Sequence, residues 1–309
     1  MSSTGWKSIN DQHIPWIPKL NQLVSTASLP VLNGSTIYIA SDYSGYHRKS
    51  KYEVISLLIM DTDNSWHWTN SRRCVREHFL TDGHRISFKG LHDQRQFYAL
   101  PAFLESANNI VGICVNIVLR KSVRISYIDR DRMQSMVDAS PFLGKWSYKT
   151  LNHMFRIVHF ISLFIGGLSK PGQNVYWISD QDPIFANPSN SEDAARLVSV
   201  LTNMYIDHKL GELGIGTTIL DEGDRLLEDL VAIPDLSAGA LSEYLTALCD
   251  MCDGKIIGKF VYPSPRGITP KTEQIVSWLM DNTGKLKRLI LLFESAENNM
   301  ARLTRLEIK

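Results

Sequence analysis

Three aspartates stand where buried segments of this chain stop. Asp42 follows the run Thr36 to Ala40 (TIYIA), Asp180 follows Asn174 to Ser179 (NVYWIS), and Asp235 follows Pro234 in IPDLSAGALSEYL. A carboxylate at a strand's end is held by a rigid element yet open to a cleft, which suits a metal ligand. Hard divalent ions such as Mg²⁺ or Mn²⁺ take oxygen donors, with one or two carboxylates each and waters completing the shell. Two such ions about 4 Å apart activate a water and stabilise the leaving oxygen in phosphodiester cleavage. Asp182, two residues past Asp180, is a fourth candidate ligand. Taken singly, each aspartate also suits an ordinary strand end or helix start.

The elements that must position these groups can be read from pattern. Thr36 to Ala40 and Tyr52 to Met60 (YEVISLLIM) predict an antiparallel hairpin, and Arg85 to Lys89 a weaker third strand. Ile110 to Leu119 and Asn174 to Ser179 are nearly continuous apolar runs, as strands buried on both faces are. Helical spacing predicts helices over Gln94 to Ala107, Trp146 to Leu168, Glu192 to Tyr205 and from about Pro234 to Cys249. A short strand is expected at Leu213 to Leu220 and another at Ile256 to Val261. A Pro-started helix capped by Thr269 follows, running to Met280, and a hairpin pairs Arg288 to Phe293 with Arg302 to Ile308. Beyond Asp235 the residues Ser237, Ala238, Gly239 and Ala240 are all small, which lets that helix approach a sheet closely and bring its aspartate near the strand-end carboxylates.

The order of three strings carries a family resemblance. Asp42-Tyr43-Ser44-Gly45, a later strand ending in Asp180, and Pro234-Asp235-Leu236-Ser237-Ala238-Gly239-Ala240 together resemble the DUF3800 family. That family has a first strand ending Asp-Glu-Ser-Gly, a central strand ending in Asp and a late Ala-Asp-Leu-x-Ala-Gly-Ala helix. The resemblance spans Ile37 to about Leu248, and the late helix is its most specific part. It implies a ribonuclease H-like α/β fold and a metal-dependent nuclease-like site of Asp42, Asp180 and Asp235. Two positions depart from the pattern. Tyr43 stands where the family has Glu, and Ser87 in Ser87-Phe88-Lys89-Gly90 stands where it carries an acid of a Glu-x-Lys string. Asp182, Glu105 or Asp229 would have to compensate for a missing carboxylate.

Basic groups near the acidic set suggest the substrate. His47, Arg48 and Lys49, in the hairpin loop that continues to Lys51, together with Lys89, would hold a nucleic-acid backbone without reading its sequence. Arg72, Arg73 and Arg76 with Trp66 and Trp68 form a second cluster that suits either stacking of single-stranded bases or packing under an insertion. The glycines of Gly211 to Gly216 precede a strand and lack Gly-Lys-Ser/Thr, so they mark a turn rather than a phosphate loop. Cys249 and Cys252 lie one helical turn apart with no second pair to complete a zinc site. There is no HExxH or GxSxG.

The bulk numbers bound these readings. The 309 residues are 44% hydrophobic and 21% charged, a globular balance, and the net charge of +1 gives no global basic field for nucleic acid. The most apolar stretch, Met154 to Leu168, is interrupted by Arg156 and His159 and reads as a core helix, not a membrane span. The expectation is a cytoplasmic α/β protein with a ribonuclease H-like mixed sheet flanked by helices. It would comprise a polar leader at residues 1–33, a core at 34–254 and a strand-helix-hairpin extension at 255–309. Its expected function is metal-dependent phosphodiester hydrolysis of RNA or DNA; the alternative is a module of the same fold that binds nucleic acid or a protein partner without catalysis.

Overall fold

The structure, a computed structural model, describes residues 5–11, 14–123, 146–180, 184–221, 223–252, 265–281, 283–295 and 301–307. Its centre is a seven-stranded mixed sheet. In chain order the strands are β1 (Thr36–Ser44), β2 (Tyr52–Asp61), β3 (Gly112–Arg120), β4 (Asn174–Ser179), β5 (Leu213–Thr217), β6 (Leu286–Ser295) and β7 (Ala301–Arg305), in the spatial order β5-β4-β1-β2-β3-β6-β7. The expected β1–β2 hairpin is present, and β3 continues it antiparallel; β4 lies parallel to β1, and β5 parallel to β4. β2 is buried at every position, which explains its unbroken apolar run.

Helices cover both faces. On one side lie α1 (Ile17–Ser25), α4 (Tyr148–Leu168) and α5 (Pro188–Tyr205), against Ile37 and Ile39 of β1. On the other lie α2 (Trp66–Phe79), α3 (Gln94–Ala107), α6 (Leu226–Met251) and α7 (Pro270–Met280), against Ala40 and Tyr38. Successive strand residues point to opposite faces, so each strand feeds both cores. Helix α4 is long and apolar enough to cross a membrane, but 78% of its apolar window is buried inside the protein. Its Phe160 packs on Trp16 and Phe293, and its Phe164 on Trp6.

Several expectations change. The leader does not merely lie on the surface: Ile17, Leu20 and Val24 recur on one face of α1 and are buried in the core with Trp6 and Trp16. β6, expected in an extension, is an interior strand of the same sheet, parallel to β3. Arg85 to Lys89 is not a strand. Its backbone turns into a 3-10 turn at Gly90–His92, with the Leu91 N–H donating to the Ser87 carbonyl and the Phe88 N–H to Asp235. Helix α6 begins at Leu226, not near Pro234. That proline costs one internal hydrogen bond, and burial of Leu230, Val231, Ile233 and Leu236 carries the helix through it. The strand expected at Ile256 to Val261 lies outside the described residues.

Candidate functional site

The β1–β4 register builds the first half of the site. These parallel strands pair residue by residue from Thr36 with Asn174 to Ser41 with Ser179. One step further, Asp42 and Asp180 lie side by side, roughly 5 Å apart at the backbone; Asp180 follows the end of β4, but Asp42, expected to end its strand, sits inside β1 opposite Ser56, because pairing with β2 carries β1 on to Ser44. Both follow residues of the α6 face by one alternation, Ala40 on β1 and Ile178 on β4. Helix α6 supplies the third carboxylate from its interior. Ser237 approaches Cys114 of β3 at 3.6 Å and Ser242 bonds Ser50 at 3.0 Å, so small side chains do bring the helix close to the sheet side. Gly239 has a different partner: a Cβ there would meet the Phe88 ring at 2.3 Å. Phe88 seats on that glycine, and its N–H donates to Asp235 Oδ2 at 2.6 Å.

Asp42, Asp180 and Asp235 line one cleft of about 370 Å³, together with Tyr46, His47, Arg85, Ser87 and Lys89. Burial first, then the charges of Asp235 and Asp180, holds the Asp42 carboxyl well above the usual carboxylate range. Asp235 is raised too, mainly by burial, against the Phe88 N–H and Arg85. The cation among them is Arg85, whose Nη2 lies 2.5 Å from Asp180 Oδ2. Its hydrogen bond to Asp180, with further attraction from Asp235 and Asp42, raises its pKa. Thr218 donates to the other Asp180 oxygen at 3.2 Å.

The donor set fits a hard divalent ion in chemistry: three carboxylates line one cleft, and a guanidinium stands in for positive charge. As they stand, no three His, Cys, Asp or Glu side chains among the described residues form a group that could hold a metal ion. Arg85 would have to release Asp180 for an ion to bind there.

Other expected site residues are placed as follows. Asp182 lies outside the described residues. His47 and Lys89 line the cleft, whereas Arg48 and Lys49 are exposed in the hairpin loop and line no cavity described here. Ser87 lines the cleft and accepts the Gly90 N–H at 3.0 Å. Neither Glu105 nor Asp229 replaces a carboxylate at Ser87. Glu105 accepts from Asn108, and Asp229 is held by Arg72 and Arg76 at 2.7–2.9 Å. Arg72, Arg76 and Trp68 of that cluster are therefore packing: Arg72 is fully buried between Asp229 and Asp224, Arg76 is mostly buried on Asp229, and Trp68 is buried beside them, whereas Arg73 and Trp66 are exposed, Arg73 paired with Asp224. Tyr43 turns toward the α4 side, its hydroxyl on Ser41 and its ring edge-on to His153. Arg85 was not anticipated. In an extended reading of Arg85-Ile86-Ser87, the period of two puts Arg85 on the same side as Ser87, which was the signal available.

No family model matches the sequence, and no curated protein matches it. Among solved structures, the chain is similar to one in the PCNA:RNase HII complex from Archaeoglobus fulgidus. The identity is 14%, the match covers 78% of this chain and 87% of that one, and the TM-score is 0.34.

Proposed function

We propose that this chain is a ribonuclease H-like member of the DUF3800 family whose cleft holds a divalent metal and hydrolyses nucleic-acid phosphodiesters. One observation carries the reading: Asp42 from β1, Asp180 just past the end of the adjacent β4 and Asp235 from a helix interior line a single cleft. The strand order β3-β2-β1-β4-β5, antiparallel through β1 and parallel from there, supports the ribonuclease H-like reading of the core.

The three aspartates would hold Mg²⁺ or Mn²⁺, and the chemistry such an ion supplies is activation of water and stabilisation of the leaving oxygen. The chain's own residues have defined tasks around it. The Phe88 N–H fixes Asp235, Thr218 fixes Asp180, and Lys89 and His47 at the cleft rim steady the substrate backbone. Arg85, free of Asp180 once an ion is bound, is placed to meet phosphate charge. Incubation of single- and double-stranded DNA and RNA with Mn²⁺ tests the reading. Cleavage that Asp42→Asn abolishes supports it, and no cleavage of any substrate by the wild type refutes catalysis.

A second reading rests on Ser87 and Arg85. With a hydroxyl where the related pattern has an acid, and an arginine already neutralising Asp180, the same fold serves as a non-catalytic nucleic-acid-binding or partner-binding module. It predicts no metal-dependent stabilisation.

A further inference from the structure

A second cavity of about 630 Å³ adjoins the acidic cleft, and the two share Asp42, Tyr43 and Tyr46 at the end of β1. Its charge is opposite. Lys121 from the end of β3, and Lys149 and Arg156 from α4, line it. Asp42 and Glu53 are the carboxylates among the lining; Arg156 Nη1 lies 2.5 Å from Glu53 Oε2, while Glu53 Oε1 is buried without a hydrogen-bond partner. Among the described residues no carboxylate stands at ion-pair distance from Lys121 or Lys149; Lys121 Nζ donates to the His47 carbonyl at 2.7 Å. Burial lowers the Lys121 pKa against the attraction of Glu53, and repulsion from Lys149 lowers it further. An anion placed between them relieves both costs.

The wall between the cavities is aromatic. The His153 ring meets Tyr43 edge-on at 5.1 Å and Tyr46 at 4.4 Å, and Tyr46 is exposed. Burial first, then Arg156, lowers the His153 pKa to about 3, so the ring is neutral, and its Nδ1 shares a hydrogen bond with the Tyr46 hydroxyl. A base can therefore stack on Tyr46 without the site losing its polar anchor. A metal cleft on one side and paired lysines on the other match a ligand carrying successive phosphates. A lone monoanion would use only one of the two.

We infer that the Lys121–Lys149 cavity binds the phosphate next to the one at the aspartates, on a single nucleic-acid strand whose base stacks on Tyr46. This rests on the nucleic-acid reading of the acidic cleft, but binding is separable from cleavage.

The test is fluorescence anisotropy of a labelled oligothymidylate and oligouridylate with full-length protein in Ca²⁺, over a series of salt concentrations. Both lysines are exposed, so the Lys121→Gln/Lys149→Gln double variant retains the fold. It is expected to bind about tenfold more weakly, with the salt slope reduced by about 1.4, for two single-strand phosphate contacts. Tyr46→Leu should weaken binding several-fold at an unchanged salt slope, and Lys19→Gln on α1 should leave binding as in wild type. Unchanged affinity and slope in the double variant overturn the inference, as does a wild type that binds neither strand. If Mn²⁺ gives no cleavage while the double variant loses binding, the hydrolase reading fails and this one stands. If cleavage occurs and the lysines change nothing, this one alone fails.

Discussion

Asp42 and Asp180 extend the Ser41–Ser179 pair by one residue, so two carboxylates from parallel strands share one end and one face of the sheet. Carboxylates so placed repel, and burial adds to the cost of ionising them. A fold that keeps such a pair, with Asp235 facing it, needs a cation. In the chain alone Arg85, paired with Asp180, supplies positive charge there, and Lys89 adds to it at Asp235.

Arg85→Ala removes the internal competitor. The variant is expected to bind Mn²⁺ about tenfold more tightly, since about 1.4 kcal/mol of relieved charge competition is a tenfold change. It should be less stable than wild type without metal. Calorimetric titration checks the first expectation and urea denaturation the second; unchanged or weaker Mn²⁺ binding contradicts the competition.

Gly239→Ala tests the seat of Phe88. In an open helix this change gains about 1 kcal/mol from helix propensity. Here the new methyl meets Phe88 Cγ at 2.3 Å and Cβ at 2.8 Å, atoms near the backbone that cannot swing aside. The clash should outweigh the gain, for a net loss of about 1–3 kcal/mol in urea denaturation. Loss of activity should accompany it, because the Phe88 N–H holds Asp235.

His153 sets an acid limit on stability. Its folded pKa, lowered to about 3, lies below the unfolded value of 6.5, so between these values the unfolded chain binds more protons. Its contribution is complete above about pH 6.5 and is lost as pH falls toward 3. His153→Gln, which keeps a hydrogen-bonding side chain beside Tyr46, should flatten the stability curve between about pH 7 and pH 5 by up to ~1.4 kcal/mol per pH unit. Parallel curves for variant and wild type contradict this.

Arg72→Met separates packing from binding at the arginine cluster. Arg72 is fully buried, 2.9 Å from an equally buried Asp229. Removing it should cost about 1–3 kcal/mol of stability in denaturation, because buried Asp229 loses one of its two arginines and keeps Arg76. Nucleic-acid affinity of the folded protein should not change; a loss of affinity without a loss of stability would restore a binding role.

The sequence shows the strand end at Asp180 plainly, because the apolar run stops there; at Asp42 the apolar run also stops, but pairing with β2 carries β1 on to Ser44. It does not show that the strands are neighbours, which depends on pairing between segments far apart in the chain. Asp235 is visible through its motif but not through its surroundings. Pro234 suggests a helix start, while buried Leu230 and Ile233 carry the helix across it. Gly239 reads as room for a sheet and is occupied by Phe88. Arg85 shows least of all. Its partner is Asp180, far along the chain, and the turn that aims it reads as a strand because Ile86 and Phe88 alternate with polar residues.

The most direct test of the metal site is the melting temperature of wild type, Asp42→Asn and Asp235→Asn across a Mn²⁺ titration. The account predicts a rise of about 4 °C or more for wild type near a hundredfold excess over Kd, corresponding to roughly 2.7 kcal/mol of linkage, and no rise for either variant. A wild type indifferent to Mn²⁺, or variants that respond as it does, would contradict it.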